Sequence, residues 1–372
     1  MNKRGGIIRA ATPADYPSIA ALLDRTFGEN PYEQRLKLWK WRYDDNPART
    51  DDIPSFLVLE QGNHILGVQG LFPLRIKVGQ EILTASVSCD LAVDPAARSE
   101  GGKLKLRAMS KDLSPLHLST SSNGPANQIT LALGGREVPP GRRKYLKPLK
   151  VSGRLRRGLP NRDTVFGKIA TASLAMAKPI DWFMAVERKF RLRSRGQTIA
   201  IRDIACFDER FEKFWGELSK ENVILVVRNP SYLNWRYFDY PFAGIQSFEL
   251  SLGQELFGFS VIHVGVDNEH LCFATILELA GRDCEMNIEE HLLKEGIRRA
   301  AIRGAHYVTA RASTSRSREL LRRYGFRPRD LQFSPITYRN NSNVPGDVFA
   351  EHRNWYLSMG DGDICHYFDM DT

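Results

Sequence analysis

The sequence repeats itself once, at the scale of a whole domain, and this limits the fold more than any other feature. Ile8-Arg9 returns as Ile201-Arg202, 193 positions later. Trp41-Arg42-Tyr43 with Pro47 returns as Trp235-Arg236-Tyr237 with Pro241, 194 positions later. Asp90-Leu91-Ala92 returns as Glu278-Leu279-Ala280 at 188, and Leu133-Gly134-Gly135 falls against Tyr324-Gly325-Phe326 at 191. Four collinear matches with offsets this close mean duplication, in two copies rather than a solenoid. A chain of 372 residues is long for one domain and sufficient for two.

The first copy reads β-α-α-β-β-β-α-β-α. A short strand over Ile7–Ala10 leads to Thr12-Pro13-Ala14-Asp15, where Thr12 caps a helix, Pro13 takes its first position and Asp15 its first turn. Ile19, Leu22, Leu23 and Phe27 give that helix an apolar stripe. A second helix runs from about Tyr32 through Trp39 to Tyr43 and stops before Pro47. Strands follow over 55–59, 65–78, 82–93 and 116–120, then a helix over 125–133 closed by Gly134-Gly135.

Between the third and fourth of those strands lies Asp90 to Lys103: a strand ending at Pro95, a basic glycine-bearing loop, and a helix carrying Leu104, Leu106, Ala108 and Met109. A strand feeding a glycine loop at a helix N-terminus makes an anion site, because backbone N–H groups and the helix dipole point at one place. Arg98 and Lys103 add full charges. The loop is neither a Walker loop nor a dinucleotide fingerprint, and an ordinary strand-to-helix turn has the same form.

The order strand, R-x-x-G loop, helix resembles the acetyl-CoA loop of the GCN5-related N-acetyltransferase (GNAT) superfamily, Q/R-x-x-G-x-G/A. Arg98 and Gly101 match, Gly102 sits one place early, and Lys103 replaces the last small residue. Arg323-Tyr324-Gly325-Phe326 resembles the Gly-Phe that closes the family's fourth helix. The resemblance implies an α/β fold of two tandem GNAT-like domains. Each would have a mixed, mostly antiparallel sheet whose fourth and fifth strands splay apart. It also implies acetyl-CoA as co-substrate, no metal, and transfer of an acyl group to an amine. On it, Leu91, Ala92 and Val93 would face the thioester carbonyl, and Arg98, Ser99, Glu100, Gly101, Gly102 and Lys103 would hold the diphosphate. Asn123 and Asn127 would bond the pantetheine or cap their helix, and Asp90 would be the catalytic base.

The family's usual acid, a Tyr, is Thr130 in the first copy and Leu321 in the second, and Phe becomes Gly135. The second copy's loop, Gly281-Arg282-Asp283-Cys284-Glu285-Met286-Asn287, has one glycine and two acids, which would repel a diphosphate. The acyl donor is therefore expected in the first copy. The expected domains are 1–150, a basic helical linker over 151–198, a degenerate copy over 199–345 and a tail over 346–372. The W-R-Y-x-x-x-P pattern and Trp355 to Asp363 resemble tandem GNAT proteins associated with surface polysaccharide biosynthesis, which implies an amino sugar or polysaccharide precursor as acceptor. Two rivals remain at this point: a FemABX-like transferase using aminoacyl-tRNA, and a non-catalytic CoA-ligand sensor or scaffold.

Charge adds a partner question. From Arg136 to Arg195 there are 17 Lys/Arg and four Asp/Glu, so this segment is more basic than the chain's net +10. Its apolar centre, with Ile169, Leu174, Met176, Trp182 and Phe183 broken by Pro179, suits a packed helical linker. Peripheral membrane contact over 165–195 is the alternative, and nucleic acid ranks last because the aromatics are not interleaved with Arg. Five scattered Cys without a C-x-x-C pair, eight His without metal spacing and no apolar run long enough for a membrane span lead to the expectation of a cytoplasmic protein.

Overall fold

The computed structural model describes residues 6–28, 30–98, 101–120, 124–138, 144–150, 200–221, 223–267, 270–282, 287–312, 314–329 and 336–363. Ser99, Glu100 and Asn123, the linker over 151–198 and the membrane-contact segment 165–195 lie outside them. The described strands are β1 (Ile7–Ala10), β2 (Phe56–Gln61), β3 (His64–Val78), β4 (Glu81–Val93), β5 (Leu116–Ser119), β6 (Arg136–Glu137), β7 (Lys144–Pro148), β8 (Ala200–Asp203), β9 (Ile224–Val226), β10 (Ile245–Leu252), β11 (Glu255–Val266), β12 (Cys272–Gly281), β13 (Tyr307–Arg311), β14 (Arg327–Arg329), β15 (Thr337–Asn340) and β16 (Trp355–Tyr356). They form two mixed sheets, in the orders β1-β2-β3-β4-β5-β15-β6 and β14-β7-β13-β12-β11-β10-β8.

Each order is an antiparallel meander followed by a parallel pair, β4 with β5 and β12 with β13; in the first sheet β9 also pairs with β3, and in parallel with β16. The helix Tyr16–Phe27 begins three residues later than expected, after a 3-10 turn over Pro13–Asp15 that Thr12 and Asp15 cap, with Thr12 N–H donating to the Asp15 carboxylate at 2.7 Å. Its buried stripe is Ile19, Ala20, Leu22 and Leu23, while Phe27 is exposed. In the second half the helix Glu209–Glu221 buries Phe211, Phe214, Trp215 and Leu218. Phe259 of β11 receives Phe207, Phe211 and Phe214 edge-on at 5.5–5.7 Å. A buried Phe contributes about 1.5–3 kcal/mol by area alone.

The repeated Trp-Arg-Tyr joins the halves. Trp41 Nε1 donates to Trp235 O at 2.7 Å, and Trp235 Nε1 donates to Trp41 O at the same distance. The two indoles stack, 4.9 Å apart and 15° from parallel, with the Arg236 guanidinium against both. Reciprocal bonding of equivalent residues is what a pseudo-two-fold relation produces. A single apolar core contains both Trp residues and runs through both halves.

The halves also exchange strands. β7, from the first range, lies between β13 and β14 in the second sheet. β15, from the second range, lies between β5 and β6 in the first. Each exchanged strand covers the outer edge of a parallel strand that would otherwise expose unpaired backbone groups. Boundaries at 150 and 199 thus leave each sheet with a strand from the other range. Among the described residues no helix is long and apolar enough to cross a membrane.

Candidate active site

β4 and β5 pair from Ala85↔Leu116 to Ser88↔Ser119. There β5 ends while β4 runs on to Val93, so a cleft opens at Cys89. At the same point β4 bulges: Gly70 pairs with Cys89 and Val68 with Ala92, which leaves Asp90 and Leu91 opposite Gln69 alone. Asp90 adopts a left-handed backbone, φ +51°, a conformation that costs a non-glycine residue about 1–3 kcal/mol. Asp tolerates it better than most. The bulge re-aims the strand's side chains and takes its backbone out of the ladder. The buried Gln69 amide holds it from behind, donating to the carbonyls of Cys89 and Gly70.

The Asp90 carboxylate accepts from Arg42 Nη1 at 2.8 Å, and Arg42 is fully buried. Beside it the Cys89 thiol lies 3.5 Å from Tyr43 Oη; burial holds that thiol well above its ordinary pKa, so it is no ready nucleophile. Sequence reasoning missed three further residues here. Thr120, directly after β5, donates its hydroxyl to the buried Asp363 carboxylate at 2.7 Å, across 243 residues of chain. Arg107 bonds Ser88 Oγ, and burial lowers its pKa to about 10, with Cys89 and Asp363 acting in the opposite direction. No local pattern marks a contact over that separation; only the charge of Asp363 was there to be read.

Of the glycine loop, Arg98 and Gly101 to Lys103 are described. Arg98 ends the short helix Pro95–Arg98, is exposed, and donates Nε to Val93 O at 3.1 Å. Gly101, φ +74°, leads into the helix Gly102–Ser110. A Cβ on Gly102 would meet Val93 Cγ1 at 3.0 Å and Ala97 O at 3.1 Å. A side chain here would press on the strand and on the preceding turn, so glycine lets this helix start close to both. Lys103 follows at the second helical position. Of the expected apolar side chains only Leu106 is buried; Leu104 and Met109 are exposed. Asn127, on the helix Gly124–Ala132, is buried, and its Oδ1 has no partner among the described residues. Thr130 donates its hydroxyl to Ala126 O at 3.1 Å.

A parallel pair parting beside a bulge, followed by a glycine-started helix, is the geometry that the acyl-CoA resemblance requires. Residues 7–113 match the family model "Acetyltransferase (GNAT) domain". Structural relatives carry the likeness across both halves. A GCN5-related N-acetyltransferase from Anabaena variabilis is 10% identical, covers 91% of this chain and 73% of its own, and has a TM-score of 0.57. One from Kribbella flavida is 14% identical with 91% and 72% covered and the same TM-score. The N-myristoyltransferase of Saccharomyces cerevisiae, solved with bound myristoyl-CoA, is 11% identical, with 95% and 88% covered and a TM-score of 0.54. At such identities the likeness is one of fold. No curated protein matches the sequence.

The second GNAT-like half has the same parts with other chemistry. Glu278, the counterpart of Asp90, is fully buried and accepts from Tyr237 Oη at 2.8 Å, Ser358 Oγ at 3.0 Å and Arg228 Nε at 3.3 Å. The second residue of its following helix, Ile288–Ile302, is Glu289 where the first half has Lys103. Burial raises that carboxyl to about pKa 7, and its Oε2 has no partner among the described residues. Among the described residues no cluster of His, Cys, Asp or Glu could hold a metal ion.

Proposed function

We propose that the protein is an N-acyltransferase that moves an acyl group, acetyl first of all, from acyl-CoA in the first cleft to an amine. The observation that carries this reading is the parting of β4 and β5 beside the left-handed bulge at Asp90, ahead of the Gly101-Gly102 helix start. In this reading the helix N-terminus with Arg98 and Lys103 holds the diphosphate. The backbone of Leu91 to Val93 orients the thioester, and Asn127 Oδ1 accepts from a pantetheine amide. Asp90, paired with Arg42, takes the proton of the incoming ammonium. The amine nitrogen then bonds the thioester carbon, the carbon–sulfur bond breaks, and the nitrogen's second proton passes to water or to the departing sulfur, so that CoA leaves as thiolate or thiol. Thr130 has its hydroxyl engaged with Ala126 O and replaces no tyrosine acid.

The acceptor enters from the side of Tyr43. A cavity of about 130 Å³ lies there, lined by Tyr43, Arg49, Thr50, Asp51, Ser55 and Leu71 among others. It suits the amine-bearing end of a polar acceptor, with Asp51 for the ammonium and hydroxyls for its neighbours, and is too small for a large apolar ligand. An amino sugar or a polysaccharide precursor meets that description.

The test is isothermal titration of acetyl-CoA into wild type and an Arg98→Glu/Lys103→Glu variant. Arg98 is exposed and Lys103 half-buried, so the fold should survive. Saturable binding by wild type, weakened at least about tenfold by reversing two charges, supports the reading and justifies an amine screen by thiol release. No binding to wild type overturns it.

A further inference from the structure

The second cleft already has an occupant. β12 and β13 pair only from Phe273↔Tyr307 to Thr275↔Thr309, and both strands run on beyond. The segment Trp355–Asp363 lies against the edges they would expose. Gly360 N–H donates to Leu277 O at 3.0 Å and Tyr356 Oη to Leu279 O at 3.2 Å, both on β12. From β13, Arg311 Nη1 donates to Ser358 O at 3.3 Å. These β12 carbonyls flank Glu278, as those of Cys89 and Leu91 flank Asp90 in the first cleft.

The segment is fixed along its length. Trp355 and Tyr356 pair with Ile224 and Leu225 of β9. Arg228 Nη2 donates to both Asp361 oxygens at 2.8 and 2.7 Å, and the Ser358 amide donates to the same carboxylate at 2.7 Å. Asp363 is tied to Thr120 of the first half. All nine residues are buried. What remains of the cleft is a cavity of about 20 Å³, lined by Ile276, Leu279, Ala310, Leu321, Tyr356 and Ser358 among others. That is room for about one water molecule and not for a pantetheine arm. A Cβ on Gly360 would lie 2.1 Å from Tyr237 Oη, so the fit admits only glycine.

We propose that Trp355–Asp363 is a built-in occupant of the second cleft, bonding the strand edges that an acyl donor would otherwise bond, so that the chain carries one acyl-donor site and not two. The count of one rests on the first cleft being the donor site; the plug itself does not. The charge change from Lys103 to Glu289 at the corresponding helix starts agrees with a cleft that no longer receives a diphosphate.

Two measurements on the full-length protein test this. Titration with acetyl-CoA should give one equivalent bound, and two equivalents would overturn the proposal. Hydrogen exchange followed by mass spectrometry should find the amides of 355–363 slow in the free protein and equally slow with saturating acetyl-CoA. Fast exchange in the free protein, or protection lost on adding the ligand, would overturn it. If no heat is seen and the segment still exchanges slowly, the donor assignment fails while the plug stands. Gly360→Ala should speed exchange across 355–363 by about tenfold or more; unchanged exchange in that variant would count against the plug.

Discussion

A guanidinium sealed from solvent depends on its partners, and for Arg42 one charged partner is Asp90 at 2.8 Å. Breaking a buried pair from one side costs about 3–5 kcal/mol, because the remaining charge is left uncompensated. Asp90→Asn should therefore lower the urea midpoint substantially as well as slow the reaction. A stability change below about 1 kcal/mol would mean that the pair does not form in solution. The left-handed bulge adds to this, since Asn also tolerates φ near +50° and preserves the backbone. Asp90→Asn is thus the clean way to remove the charge, whereas Asp90→Val would confound charge with strain. At this scale the sequence was legible where chemistry is local: Asp90, Arg98, Gly101 and Gly102 stand where the loop pattern put them. Thr120 and Asp363 were not, because their contact spans 243 residues and leaves no spacing to read.

At the level of single elements, β5 carries a buried switch that acid should expose. His117 shares a hydrogen bond with Ser86 Oγ at 2.8 Å, and burial lowers its pKa to about 3, with nearby Arg107 acting in the same direction. An unfolded histidine binds its proton near 6.5. Between those values the unfolded chain holds a proton that the folded chain does not. The contribution of His117 is then complete above pH 6.5 and is lost as pH falls toward 3, at up to about 1.4 kcal/mol per pH unit. Urea midpoints measured from pH 6 to pH 4 should fall more steeply in wild type than in His117→Asn. Equal slopes would show that His117 is not buried neutral. Periodicity located β5 and the other main elements of the first copy because their apolar residues alternate or recur every three or four positions. It failed on the helix Gly102–Ser110, whose buried face consists of Gly102, Leu106, Arg107 and Ser110. A glycine needed for close approach and an arginine pointing inward carry no hydrophobic signal, and Leu104 and Met109 offered a false one.

For the molecule as a whole, the duplication was plain in the sequence but the way the copies lock together was not. Repeated motifs report two similar units; they say nothing of which sheet receives β7 or β15, since strand pairing is decided by edges distant in sequence. The exchange has an energetic consequence. If the halves unfolded separately, the first to open would strip a strand from the other's sheet and expose the edge of β5 or β13. It would also break the reciprocal Trp41–Trp235 bonds and divide the shared core. Each of these losses falls on both halves, so neither has a folded state of its own to retreat to. Chains of this size often unfold domain by domain. This one should unfold in a single step, with the far-ultraviolet circular dichroism and tryptophan fluorescence transitions coinciding and the calorimetric enthalpy equal to the van't Hoff enthalpy. Two separated transitions, one of them insensitive to a Trp41→Ala substitution, would mean that the strand exchange does not couple the halves.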